Sequence, residues 1–102
     1  MSQPLNVVAI LEAKPGKEAE LYQLLVSTLP AFQQEPGCLS YALLVDQENA
    51  ARMVTFERWK DAESLAQHMQ SETMAKAKPA LAQILAAPMQ QIKLDALPGS
   101  SV

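Results

Sequence analysis

The stretch MVTFERWKDAESLAQHM, Met53–Met69, begins with the alternation of a β-strand and ends with the spacing of a helix. Because side chains alternate along a strand, Thr55, Glu57 and Trp59 share one face. Asp61 stands where a helix N-cap is expected, since its side chain can accept a hydrogen bond from a free N–H of the first turn. The stretch therefore predicts a strand that leads directly into a capped helix.

The helical part of this stretch carries the best chemical lead in the sequence. Leu65 and Met69 lie four residues apart and should face the sheet. His68, the single histidine of the chain, lies beside them. The pattern therefore brings an imidazole, the indole of Trp59 and the carboxylate of Glu57 close to apolar surface.

Composition limits the class of protein. The chain has 102 residues, 49% hydrophobic and 19% charged, which predicts one folded domain over residues 1–102 with a flexible tail from residue 98. The net charge is −3 without a basic cluster, which argues against nucleic acid and anionic membrane as partners. No apolar run reaches the length of a signal peptide or a membrane span, so we expect a soluble cytoplasmic protein.

Residues that bind metals and phosphates are scarce. Cys38 is the only cysteine, so it forms no internal disulfide and is interpreted as a small buried hydrophobe. One cysteine and one histidine are too few for a tetrahedral metal site of the usual kind. The chain has only three glycines, none of them in a phosphate-binding loop. We therefore expect no metal and no other cofactor.

The remaining sequence divides into strands and helices of ordinary length. Pro30 should kink the first helix or break its last turn, and Pro79 should divide the last helix by starting a fresh turn. Alternation in the second strand puts Leu39 and Tyr41 on one face and Cys38 on the other. The expected strands are 5–13, 38–46, 51–60 and 89–97, and the expected helical regions are 17–32, 61–70 and a stretch that follows residue 71.

This order of elements predicts an α+β ferredoxin-like sandwich, βαββαβ, with helices on one face of an antiparallel sheet. Both faces of the second strand are substantially apolar, whereas one helix layer covers only one face of the sheet. The second face must then be buried against a second copy or around a ligand. A homodimer is the simpler of these two expectations.

Three segments carry a family resemblance: KPGKEAEL at 14–21, QEPGCLSY at 34–41 and FERWKDAESLAQH at 56–68. From about Leu5 to Leu97 the chain resembles the antibiotic biosynthesis monooxygenase domain family, in particular small bacterial proteins similar to quinol monooxygenases. The resemblance implies a dimeric α+β barrel with a pocket between each sheet and its helices. It also implies that a small aromatic or quinol-type substrate, once deprotonated, reacts with O2 without a metal, flavin or haem group.

The central stretch supplies residues for such a reaction. His68 would be the base, because a histidine can accept and return a proton near neutral pH. Trp59 would form the aromatic wall of the pocket, and we count it with His68 as catalytic. The expected substrate-binding residues are Glu57, Thr55, Met69 and Leu65.

These side chains also have purely structural interpretations. A lone histidine on a helix is more often a satisfied core or rim residue, and Trp59 could equally pack in the core or at a dimer interface. For Glu57, an ion pair with Arg52, Arg58 or Lys93 is favoured over a pocket carboxylate.

Other activities of the resembled family fit the sequence less well. Haem-degrading members have an asparagine late in the first strand, near the position of Ala9 here. Isomerases of a phosphorylated signalling sugar tend to have a second histidine, near Thr73 here, and need basic groups for the phosphate. The alternatives to oxygenation are a binding module for a small hydrophobic metabolite and, ranked last, such an isomerase.

Overall fold

The structure is a computed structural model that describes residues 4–102, so residues 1–3 of the predicted domain lie outside it. Its elements are β1 Leu5–Glu12, α1 Glu18–Gln33, β2 Cys38–Asp46, β3 Asn49–Trp59, α2 Ala62–Met69, α3 Glu72–Ile84 and β4 Gln90–Leu94. The four strands form one antiparallel sheet in the order β2-β3-β1-β4, with the helices packed on one face. The predicted α+β ferredoxin-like fold is confirmed.

The central strand β3 has the predicted alternation. Thr55, Glu57 and Trp59 are each at most 3% exposed and face the helices. Trp59 packs with Val7 of β1 and Leu65 of α2 in one apolar cluster, and a second cluster joins β1 and β3 to α1 and α3. The core is therefore the layer between the sheet and the helices, and β3 contributes both apolar and polar side chains to it.

The second and third helices each begin at a side-chain N-cap, and the one expected at Asp61 is confirmed. The Oδ1 atom of Asp61 accepts a hydrogen bond from the backbone N–H of Ser64 at 2.8 Å, which starts α2. The Oγ atom of Ser71 accepts one from the N–H of Met74 at 3.1 Å, which starts α3. Only two residues, Gln70 and Ser71, separate α2 from α3.

The prolines do not interrupt their helices. Pro30 lies inside α1, which continues to Gln33, and Pro79 lies inside α3, which continues to Ile84. The expected division at Pro79 is therefore wrong. Both prolines are exposed, so water can solvate the carbonyl that loses its amide partner.

Two strand boundaries differ from the prediction by more than one residue. β3 begins at Asn49, so the hairpin loop is only Gln47–Glu48, and the N–H of Glu48 donates to Oδ1 of Asp46 at 2.8 Å. β4 ends at Leu94, earlier than predicted, because its pairing with β1 ends there. Neither change alters the order of strands in the sheet.

A β-bulge at Leu39 moves Cys38 to the face opposite the predicted one. Cys38 pairs with Trp59 while Ser40 pairs with Arg58, which leaves Leu39 as the extra residue of β2. The half-buried Cys38 consequently packs on the helix side, against the cluster that contains the indole. Beside the bulge, the first residue of β2 pairs with the last residue of β3.

The sheet face away from the helices carries several large apolar side chains that are open to solvent. Its exposed large side chains include Leu44 at 53%, Phe56 at 37%, Ile92 at 42% and Leu94 at 42%. We call this surface the outer sheet face. Among the helices within residues 4–102, none has both the length and the hydropathy needed to cross a membrane.

Candidate active site

A narrow hollow lies between the sheet and the helices, with a cavity volume of about 30 Å³. Most of its wall is apolar, and none of its lining residues is a lysine or arginine. Within residues 4–102, no three histidine, cysteine or carboxylate side chains converge as metal ligands would. Such a wall suits a small, largely apolar ligand with a few hydrogen-bonding groups. The polar lining residues are Thr28, Tyr41, Thr55, Glu57, His68 and Gln91.

The imidazole of His68 is held between aromatic rings. It belongs to the last turn of α2, and the residue is 2% exposed. The centroid of the Phe32 ring lies 4.5 Å away at an interplanar angle of 81°, and that of Trp59 lies 4.7 Å away at 31°. Because one neighbour meets the imidazole edge-on and the other packs on it at a tilt, the ring orientation is fixed.

Glu35 completes the surroundings of this imidazole. Its Oε1 atom lies 2.7 Å from Nδ1 of His68. An ionised carboxylate can only accept hydrogen bonds, so Nδ1–H donates to Glu35 and the neutral ring has its lone pair on Nε2. Within residues 4–102, no protein group bonds to Nε2. Since His68 lines the hollow and Glu35 does not, Nε2 is the nitrogen available to a ligand.

A tight turn positions the Glu35 carboxylate. The N–H of Glu35 donates to the carbonyl of Phe32 at 3.2 Å, and the N–H of Cys38 donates to the carbonyl of Glu35 at 3.0 Å. Gly37 has φ +81°, which side-chain-bearing residues rarely adopt, and its carbonyl accepts from the N–H of Lys60 at 2.7 Å. The turn therefore ties the end of α1 to the end of β3, and Glu35 is placed by backbone bonds.

A second carboxylate, that of Glu57, lies on the wall of the hollow. Thr55 Oγ1 donates to its Oε2 at 2.6 Å, and Trp59 Nε1 donates to its Oε1 at 2.9 Å. Thr55 Oγ1 also accepts from the backbone N–H of Ala9 at 3.1 Å, which fixes the hydroxyl. Each carboxylate oxygen retains a further lone pair, so Glu57 can accept a hydrogen bond from a ligand hydroxyl.

The expected ion pair of Glu57 is wrong. Arg52 and Arg58 project from the opposite face of β3, because side chains alternate, and bond to other side chains there. Lys93 is exposed on the edge strand β4. The buried carboxylate of Glu57 is therefore bonded by two neutral donors, the Thr55 hydroxyl and the Trp59 indole N–H, and not by a cation.

Two acidic groups of β2 are kept protonated. Burial raises the pKa of the Tyr41 phenol well above its usual value, and the charges of Glu57 and Glu35 raise it further. Burial also raises the pKa of the Cys38 thiol, with smaller contributions from the same two carboxylates. Tyr41 is therefore a neutral hydrogen-bond donor on the wall of the hollow, and Cys38 lacks the thiolate character of a nucleophile.

The structure brings together some of the predicted site residues and separates others. Trp59 lies behind the imidazole with 0% of its surface exposed, and Leu65 packs against it in the core, so neither lines the hollow. The reason is that α2 crosses the end of β3 and His68 covers the indole. Phe32 and Tyr41 form the aromatic wall instead. The predicted residues that do line the hollow are His68, Glu57, Thr55 and Met69.

Glu35 is the residue that sequence reasoning missed. It stands 33 positions before His68, so helical or strand periodicity cannot relate the two. The available signal was its place in QEPG, where a turn with proline and glycine immediately follows the carboxylate. A polar residue fixed by such a turn between two core elements is a candidate for a site.

Comparison with known proteins identifies a family and structures that share this fold. The family model described as antibiotic biosynthesis monooxygenase matches residues 4–80. The crystal structure of PA3566 from Pseudomonas aeruginosa superposes with a TM-score of 0.89 at 27% identity, over 95% of this chain and 97% of that one. The structure of Rv0793 from Mycobacterium tuberculosis superposes with a TM-score of 0.88 at 25% identity, over 97% and 100%.

A curated relative aligns over a shorter region. The protein sll1783 of Synechocystis sp. is 29% identical over 68 residues, which is 67% of this chain and 46% of that protein. The chain thus spans about half the length of this relative. The family model, by contrast, covers all elements from β1 to the middle of α3, including both Glu35 and His68. The chain belongs to the antibiotic biosynthesis monooxygenase family.

Proposed function

We propose that this protein is a cofactor-independent monooxygenase that oxidises a small aromatic or quinol-type substrate with O2. The observation that carries the proposal is the 2.7 Å contact between Glu35 and Nδ1 of His68, which leaves Nε2 as a base at the wall of an apolar hollow. A histidine oriented by a carboxylate is a common arrangement for moving a proton in catalysis. Family membership supports the same reaction class.

The first step is removal of a proton from a ring hydroxyl. Nε2 of His68 accepts the proton, and Glu35 stabilises the imidazolium that forms. The phenol of Tyr41 donates a hydrogen bond to a substrate oxygen, while Glu57 accepts one from a second hydroxyl. The apolar wall excludes water, so the substrate anion is poorly solvated and gives up an electron to O2 more readily.

The substrate supplies all the electrons for the reaction. For a simple hydroquinone, a ring carbon binds oxygen from O2, the bond between the two oxygen atoms breaks, and the second oxygen leaves as water. A ring C–H and two O–H groups are thereby converted to a C–OH and two C=O groups, so one hydroquinone and one O2 give one hydroxyquinone and one water. His68 returns its proton to the departing oxygen.

The proposal is tested by oxygen uptake with a panel of hydroquinones and anthrones. His68→Ala should abolish protein-dependent uptake, and His68→Gln, which keeps a polar side chain of similar length, should do so too. Wild-type uptake with a product that has gained one oxygen atom and lost two hydrogen atoms supports the enzyme. A rise in melting temperature with the same compounds but no product in any of them would instead identify a binding module.

A sugar-phosphate isomerase is not favoured, because no lysine or arginine lines the hollow. A phosphate ester in a water-poor site needs cationic or multiple N–H donors. The nearest expected candidate, Lys93, is exposed on the edge strand.

We further propose that the protein acts as a homodimer that buries the outer sheet face. A sheet face with several large apolar side chains that are 37% to 53% exposed is unusual for a monomer in water. Covering it with a second copy would bury the face symmetrically and would leave both hollows open on their helix sides.

A further inference from the structure

A second, larger groove opens beside the hollow, on the helix side of the sheet. It lies between α3 and the segment that leads into β4, with a volume of about 450 Å³. Its wall is apolar except for Lys78, whose side chain is exposed at the rim. The groove is therefore suited to apolar matter that extends from the hollow.

The two spaces share a thin partition. Unbranched methionine side chains rotate at little cost, so a ligand can move them aside and join the two spaces. The polar contact on this partition is a weak hydrogen bond at 3.4 Å from Nε2 of Gln91 to the sulfur of Met69. The residues that line both the hollow and the groove are Met69, Met74, Leu81 and Met89.

The far wall of the groove is anchored to the sheet. Leu85 forms an isolated bridge with Ala13, and the N–H of Ala86 donates to the carbonyl of Glu12 at 2.8 Å. These backbone bonds do not depend on a ligand, so the groove is preformed.

We propose that the substrate is a ring with an apolar substituent, the ring lying beside His68 in the hollow and the substituent in the groove. The placement of the ring rests on the proposed function. The substituent is apolar because a charged or hydroxylated chain would lose its hydration along a wall that offers few hydrogen bonds. Its point of attachment lies at the methionine partition.

The test is calorimetric titration with hydroquinones whose linear alkyl substituent grows from methyl to octyl. We expect Kd to fall roughly fourfold for each added methylene until the groove is filled. Ala82→Glu, which places a carboxylate in the groove, should remove this dependence and leave the affinity for unsubstituted hydroquinone unchanged. Ala87→Glu on the opposite wall provides a second, independent block.

Matched controls use residues of the same helix. Ala75→Glu adds the same charge to an exposed alanine of α3 outside the groove and should keep the wild-type dependence on chain length. Lys78→Met should keep it as well, because the proposal assigns no role to the cation. Equal Kd values across the wild-type series, or a dependence that survives both blocking substitutions, would overturn the inference.

Failure of this inference and failure of the proposed function give different results. Oxygen uptake that requires His68 but does not respond to chain length would refute the groove assignment alone. Tighter binding with longer chains, lost in the blocked variants, combined with no oxidation of any compound would uphold the groove and refute the oxygenase.

Discussion

Gly37 and Ser64 lie so close together that a β-carbon added at residue 37 would come 2.5 Å from Cβ of Ser64. Gly37 belongs to the turn that places Glu35, and Ser64 belongs to α2, which carries His68. The absence of a side chain at residue 37 thus lets the two halves of the proposed proton-transfer pair approach each other.

Substituting this glycine should weaken the packing of its turn against α2. Gly37→Ala meets both a φ of +81° and the contact with Ser64, so it should destabilise the fold by more than the roughly 1 kcal/mol expected from backbone strain alone. Gly16→Ala is the matched control, since Gly16 has φ +84° but no atom within 4 Å of its added Cβ. Thermal unfolding followed by circular dichroism compares the two. If the two variants lose equal stability, the close approach to Ser64 does not contribute to the effect of Gly37→Ala.

Replacing the carboxylate next to the imidazole should impair turnover more than binding. Glu35→Gln keeps the shape of the side chain but removes the charge that stabilises an imidazolium, so we expect kcat to fall roughly tenfold to a hundredfold with KM little changed. Glu48→Gln, in the exposed hairpin, is the control and should leave both constants as they are. A wild-type kcat in Glu35→Gln would remove Glu35 from the mechanism.

The phenol of Tyr41 should stay neutral in alkaline solution. Burial, Glu57 and Glu35 raise its folded-state pKa above the ordinary value of 10.0, so the folded protein holds this proton more firmly than the unfolded chain. The stabilisation is fully present below pH 10 and declines as pH rises above it, by about 1.4 kcal/mol for each pH unit.

The ionisation of Tyr41 can be measured in a variant that has no other tyrosine. In a Tyr22→Phe background, phenolate absorbance should not appear until well above pH 10 or until the protein unfolds. Tyr41→Phe should remove that part of the alkaline loss of stability. Ionisation of Tyr41 near pH 10 in the folded protein would contradict the prediction.

The N-cap of α2 should make the helix sensitive to acid. Hydrogen bonds from the hydroxyl and the N–H of Ser64 lower the pKa of Asp61 below its usual 3.8. Its contribution to stability is therefore complete above pH 3.8 and is lost as pH falls through the lower folded-state pKa. Asp61→Asn, also a good cap, should melt like the wild type near neutral pH but lose less on acidification, whereas Asp61→Ala should melt lower throughout.

Charges on the outer sheet face should yield monomers. Phe56→Asp or Leu44→Asp would bury a carboxylate in the proposed dimer interface, so light scattering coupled to size exclusion should report half the wild-type mass. Val26→Asp, at a side chain 41% exposed on α1, is the control and should remain dimeric. A monomeric wild-type protein would refute the dimer without affecting the assignment of the hollow.

The sequence predicts the fold and the position of His68 because both depend on local periodicity. Alternation in β3 identifies Thr55 and Glu57 as buried, and the Asp61 cap with helical spacing directs His68 towards the sheet; all of these lie within one short stretch. The ion pair expected for Glu57 is wrong. Residues of opposite charge can be near in sequence and still lie on different faces of the sheet.

The remaining differences arise where single residues or distant segments decide the geometry. The bulge at Leu39 adds one residue to β2, and alternation alone gives no sign of it, so the predicted face of Cys38 is wrong. Pro79 is tolerated because its turn of α3 faces solvent, which propensity does not report. The contact of Glu35 with His68 joins the end of α1 to the end of α2, and only the packing of both helices on the folded sheet brings those ends together.

The contact between the rings of Trp59 and His68 has a practical consequence. Trp59 is the only tryptophan in the chain, so all indole emission of the folded protein comes from a ring in contact with the proposed base. A protonated imidazole is a stronger quencher of excited indole than a neutral one. The intensity of unlabelled protein therefore gives a direct optical record of whether that base holds its proton, before and after a ligand arrives.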